Sequence, residues 1–162
     1  MKSNTVIFTE PYKAEIQEID CPKPGKSEVL IRTEQTLIST GTELTFLTGE
    51  CPEKSKWSEY IHYPQKSGYS NVGIIEEVGE GVSKDLIGKR VASFSGHSQY
   101  VIVNVNELRM INYEIKPEEA TFFALAETTI NGIRRTGIEL GNRVVVYGAG
   151  IVGQLAARFL LA

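Results

Sequence analysis

The stretch NRVVVYGAGIVG, residues 142–153, followed by QLAARFLLA to residue 162, decides how the chain is read. Residues 142–147 are rich in β-branched side chains, as suits a short strand buried on both faces. The next six, Gly148, Ala149, Gly150, Ile151, Val152 and Gly153, fit G-x-G-x-x-G. Between a strand and a helix that spacing has a physical logic. The first glycine permits a tight turn, the second lets a pyrophosphate approach the backbone, and the third lets the helix pack on the strand. The helix N-terminus adds unpaired N–H groups and partial positive charge. These six residues are expected to hold the phosphates of NAD or NADP. The alternative is a glycine-rich turn that binds nothing. The residue that separates the two cofactors is expected about 20 positions further on, past residue 162.

Upstream, PEEATFFALAETTINGIRR from Pro117 predicts a helix. Proline suits its first position, and two glutamates suit the positive end of the helix dipole. Phe122, Phe123, Ala126 and Ile130 form its apolar stripe, and Gly137 is a plausible stop. The first hundred residues read as β. Strand patterns lie near residues 6 and 14 and start at Glu28, Val72, Arg90 and Ser98. Residues 41–48 predict a short helix ended by Gly49, and residues 50–66 an irregular surface excursion. Short strands at this spacing suggest a small barrel or sandwich. The expected division is a β-rich domain over 1–116, a linking helix over 117–141, and the start of a doubly wound domain over 142–162. A single βα unit cannot bury both faces of such a sheet. Residues 142–162 are therefore expected to be buried against a second copy or to be the least ordered segment.

Composition narrows the function classes. Lys and Arg number 17 and Asp and Glu 20, a formal net charge of −3. No basic excess exists to attract a phosphate backbone, so nucleic acid is not an expected partner. With 41% hydrophobic residues, the chain is not of the disordered type. The two cysteines, Cys21 and Cys51, have no ligand or redox spacing and read as free thiols in a reducing compartment. The N-terminus lacks the apolar core of a signal peptide. Residues 144–162 are largely apolar, but Gln154, Arg158 and three glycines divide them into strand, turn and helix. No membrane span is expected there. A cytoplasmic location follows as an expectation.

Several short motifs occur in order: Thr40-Gly41-Thr42-Glu43-Leu44 with Gly49, Gly68-Tyr69-Ser70 leading into VGIIEEVG from Val72, then Gly81-Val82, Gly88-Lys89-Arg90-Val91, Arg134-Arg135-Thr136-Gly137 and the glycine-rich loop. On these the whole chain resembles the medium-chain dehydrogenase/reductase superfamily. That resemblance implies a mainly β, GroES-like, partly open barrel followed by the start of a Rossmann domain. The STGTEL form is similar to a branch near bacteriochlorophyllide and threonine dehydrogenases. Zinc-dependent members carry a catalytic cysteine, a G-H-E triplet and a third ligand in the linking helix. Those places hold Thr40, Tyr69 with Ser70, and Ala124. None of them is a good zinc ligand. The four-cysteine structural lobe is absent as well. The resemblance is thus to the zinc-independent members, and no metal is expected.

The resemblance also implies site roles. Thr42 matches a hydroxyl that relays a proton, and Glu43 a carboxylate behind the ligands, whose plainer role is capping or pairing within its helix. Tyr69 stands at the ligand-histidine place; a phenol can donate to a developing alkoxide or enolate, or simply pack at a strand start. Thr128 matches a threonine that approaches the nicotinamide; otherwise it bonds back to its own helix turn. A metal site rebuilt from Cys51, His62, Glu43 and His97 has no recognisable ligand spacing behind it. The resemblance implies an NAD(P)-dependent alcohol dehydrogenase-like oxidoreductase acting on a small molecule, expected to be a homo-oligomer. The alternatives are a non-catalytic NAD(P)-binding sensor on the same scaffold and, more weakly, a barrel acting alone as an assembly module.

Overall fold

The computed structural model describes all of residues 1–162. It divides into two compact units, Met1–Thr121 and Phe122–Ala162.

The first unit carries every strand. In chain order these are β1 (Lys2–Glu10), β2 (Lys13–Asp20), β3 (Glu28–Thr36), β4 (Gln65–Lys66), β5 (Asn71–Val78), β6 (Arg90–Ser93), β7 (Tyr100–Asn104) and β8 (Arg109–Met110). They form a three-stranded sheet, β2-β1-β4, and a five-stranded sheet, β7-β3-β5-β6-β8. Every pairing is antiparallel. The sheets do not close into a continuous ring; an isolated bridge between Thr5 and Ser98 links the first sheet to the segment ahead of β7. The core lies on one face of the larger sheet, around Val29, Ile31, Ile75, Val91 and Val103. Fully burying each such side chain stabilises the fold by about 1.5–3 kcal/mol. Leu30, between two of them, is also buried, so β3 is covered on both faces. That explains its unbroken apolar start, where a half-exposed strand would alternate.

The short helix predicted over 41–48 is α1 (Thr40–Thr48), ended by Gly49 in a left-handed conformation. The excursion at 50–66 is mostly irregular, but it contains α2 (Trp57–Tyr60) and β4. Its anchor is Trp57, which meets Phe46 of α1 edge-on, with ring centroids 5.6 Å apart.

The helix predicted from Pro117 is divided. The first piece, α3 (Pro117–Ala120), belongs to the first unit. The second, α4 (Phe123–Arg135), belongs to the second unit together with α5 (Ile151–Leu161). One expectation needs correcting: residues 142–147 form no strand. A strand exists only as part of a hydrogen-bonded ladder, and no other strand of the chain pairs with these residues. Val145 and Tyr147 are accordingly exposed, at 88% and 103%. The β-branched pattern is real, but it specifies a strand only where neighbours supply the ladder. No helix is long and apolar enough to cross a membrane.

Candidate functional site

Helix α1 starts with Ser39 as its N-cap, but the serine side chain makes no capping bond. Glu43, one turn on, takes that role: its Oε1 accepts the Ser39 N–H at 2.7 Å. The carboxylate does more than cap. Its Oε2 accepts the Ser67 hydroxyl at 2.7 Å and lies 2.8 Å from His97 Nε2. Glu43 is 5% exposed, and the His97 side chain 9%. Burial pushes the Glu43 carboxyl upward, but the hydrogen bonds from His97, the Ser39 N–H and Ser67 outweigh it, so the group titrates below its ordinary value. Three donors on one buried carboxylate are what such a group needs to remain ionised.

Main-chain bonds place the histidine. The His97 N–H donates to Ser67 O at 2.8 Å, and its carbonyl accepts the Val6 N–H at 2.9 Å. Gly68 lies directly against the imidazole: a Cβ there would stand 2.7 Å from ring atoms, and its φ is +89°. Both facts restrict the position to glycine. Because a carboxylate only accepts, Nε2 carries the proton shared with Glu43. Thr40, Glu43 and His97 share the wall of a cavity of about 390 Å³ whose other lining is mainly apolar, including Phe8, Ile38 and Leu47.

The remaining anticipated residues are spread over both units. Thr40 is exposed at the start of α1, and Thr42 is half-buried within it. Tyr69 is half-buried, and its hydroxyl makes no hydrogen bond within the chain. The next residue, Ser70, is buried and donates to the Thr121 carbonyl. Thr128 donates to Ala124 O at 3.0 Å, the back-bonding arrangement that is its plainer role. Cys51 and His62 do not join Glu43 and His97, because no group of three His, Cys, Asp or Glu side chains is suited to hold a metal ion. The motif around Thr40 points to Glu43, whereas His97 enters the sequence reading only as a remote ligand. Ser67 escapes that reading, since nothing in a lone serine 24 residues from its partner signals the contact.

In the second unit the glycine-rich loop leads into α5. Gly148 has φ +104°, and Gly150 is the N-cap. A Cβ at Gly153 would stand 2.0 Å from the Gly148 carbonyl oxygen, so the bare backbone there lets the start of α5 lie directly against the turn. A Cβ at Gly150 would meet nothing, and Gly148 through Val152 are exposed. The exposed loop with space over Gly150, at the start of a helix of 11 residues, fits a dinucleotide phosphate.

No family model matches the chain. An alcohol dehydrogenase of Geobacillus stearothermophilus is 27% identical over 96% of this chain and 53% of its own length. The L-threonine 3-dehydrogenase of Pyrococcus furiosus is 38% identical over a shorter stretch, 56% of this chain and 25% of that protein. Among solved structures, a short chain alcohol dehydrogenase from E. coli CFT073 complexed with NADH superposes with a TM-score of 0.84 at 21% identity, covering 98% of this chain and 53% of that one. Acetophenone reductase from Geotrichum candidum in complex with NAD also gives 0.84, at 17% identity, covering 99% and 55%. The chain spans about half the length of the curated relatives that match it end to end. These relatives and structural neighbours are alcohol dehydrogenases and related oxidoreductases. The chain is similar to them over nearly its whole length and shares their fold.

Proposed function

We propose that the protein is an NAD(P)-dependent oxidoreductase of zinc-independent type, moving hydride between nicotinamide and a carbonyl, alcohol or activated alkene. The carrying observation is the loop at Gly148–Gly153, with its tight first and third glycines and open second one, at the start of α5. Backbone N–H groups of Ile151, Val152 and Gly153 would face the phosphates. The bound nicotinamide supplies or accepts the hydride. The chain's own residues orient the substrate and handle the proton. Tyr69, with an unpartnered hydroxyl, is the proposed donor, Thr42 the relay, and Thr40 and Glu43 shape the surroundings, with Thr128 beside the cofactor. The residues at the three zinc-ligand places do not fit that metal, so no step is routed through it.

Tyr69→Phe removes one hydroxyl and almost no volume. Turnover of the natively expressed protein should fall by roughly a hundredfold, the usual scale for a positioned acid, and Thr42→Val tests the relay in the same assay. Full activity in both would remove the catalytic assignment. Elemental analysis after dialysis against chelator should give no stoichiometric zinc; one retained ion per chain would contradict the zinc-independent reading. A panel of aldehydes and quinones with NADH and NADPH separates the enzyme from the alternative, a non-catalytic NAD(P)-binding sensor. A cytoplasmic setting, a small-molecule substrate and assembly with further copies of the chain complete the proposal. Nucleic acid and membrane are not among its partners.

A further inference from the structure

We propose that Asn71 and Thr33 form a side-chain clamp that positions His97 against Glu43. The clamp deepens the oxidoreductase reading, in which Glu43 belongs to the site, and rests on that reading only for the use made of the pair.

The carrying observation is a chain of hydrogen bonds that closes on the segment around His97. Asn71 is fully buried on β5. Its Nδ2 donates to Thr33 Oγ1 of β3 at 2.9 Å and to Gly96 O at 3.3 Å. The Thr33 hydroxyl accepts that bond and donates its own proton to Ser98 O at 2.6 Å. Gly96 and Ser98 are the chain neighbours of His97. The peptide unit joining Gly96 to His97 is held at both ends, its carbonyl by Asn71 and its N–H by Ser67 O at 2.8 Å. The following unit is held at the His97 carbonyl by the Val6 N–H, and the one after that at Ser98 O by Thr33. Peptide units are planar, so fixing three in succession fixes the direction in which the His97 side chain leaves the backbone.

Packing alone does not account for an amide at position 71. Its Oδ1 is buried without a partner, a cost that an apolar side chain of the same size would avoid. What the amide supplies is two donors for acceptors on separate segments, which no apolar residue can provide. From the other side Gly96 brings the segment hard against Ser67: a Cβ there would stand 2.3 Å from Ser67 O. The ring is thus held between the larger sheet, through Asn71 and Thr33, and Glu43 on α1. Asn71 and Thr33 act through the backbone of His97, so they are positioning residues.

The test is NMR of the protein with nitrogen-labelled histidine. In the wild type the Nε2 proton that His97 shares with Glu43 should exchange slowly with water. Thr33→Val keeps the shape and removes the hydroxyl, and Asn71→Leu removes both amide donors. In each the ring proton should exchange about tenfold faster or more, while the amides of Val29 and Val91 in the core stay within about twofold. Thr33→Ser restores the hydroxyl and should restore slow exchange. The exposed His62 is the internal reference. A ring proton that keeps its wild-type rate in Thr33→Val overturns the proposal. So does a loss that reaches the core amides equally, or a Thr33→Ser variant that behaves like Thr33→Val. Turnover with NADH and NADPH is scored separately. A freed ring with unchanged turnover retains the clamp and takes the Glu43–His97 pair out of the oxidoreductase site. An unmoved ring with lost turnover removes the clamp and leaves the oxidoreductase reading standing. A wild type that turns over nothing removes that reading, and the ring signals still decide the clamp.

Discussion

Gly150→Val should eliminate measurable NADH and NADPH binding by the natively expressed protein while leaving its fold intact. Two features make this a clean experiment. Gly150 has φ −70° and ψ −177°, and a Cβ there meets no atom of the chain. This is extended backbone, which valine adopts readily. Stability should therefore change by less than about 1 kcal/mol, as for other exposed substitutions. The space the side chain takes is the space the pyrophosphate needs. Gly153→Val is the contrasting variant: its Cβ would stand 2.0 Å from the Gly148 carbonyl oxygen, so the turn itself must move. Calorimetric titration reports affinity and thermal unfolding reports the fold. Wild-type affinity in Gly150→Val would show that this loop is only a turn.

Glu43→Ala should destabilise the first unit by about 3 kcal/mol or more. It strips the partner from the Ser39 N–H, the Ser67 hydroxyl and His97 Nε2 together. Each buried donor left unsatisfied costs about 1–3 kcal/mol. The same site has a pH signature. Because the folded carboxyl titrates below its ordinary value of 4.5, the ionised form contributes stability above that pH. The contribution fades as pH falls through the lower, folded value. Glu43→Gln keeps the shape but cannot ionise. Denaturant unfolding from strongly acidic to neutral pH should show the advantage of the wild type over Glu43→Gln shrinking below pH 4.5. An advantage that stays constant across this range would mean that the charge of Glu43 does not support the fold.

The two sites differ in how legible they are in the sequence. The loop at Gly148–Gly153 is local. Its turn, its open second glycine and its helix all follow from residues within a few positions of one another. The strands of the first unit are legible for the same reason, since alternation and breakers act over a few residues. Glu43 draws attention through its motif, and its capping bond to Ser39 is also local, four residues away. Ser67 and His97 are 24 and 54 residues from Glu43. Nothing at such separations has a period or a spacing to detect.

What the sequence determined by itself is the set of short-range elements: strand-forming segments that turn residues punctuate, helix α1 with its glycine stop, and the glycine-rich loop ahead of α5. What only the tertiary structure decided is which distant groups meet. His97 reaches Glu43 because β1, β4 and the segment ahead of β7 exchange main-chain hydrogen bonds at Val6, Ser67 and His97, with Gly68 leaving room for the ring. Residues 142–147 show the same dependence from the other side. Their β-branched pattern is as strong as that of any strand in the chain, yet they form none. A strand's hydrogen bonds belong as much to its neighbours as to itself, and here no neighbour supplies them.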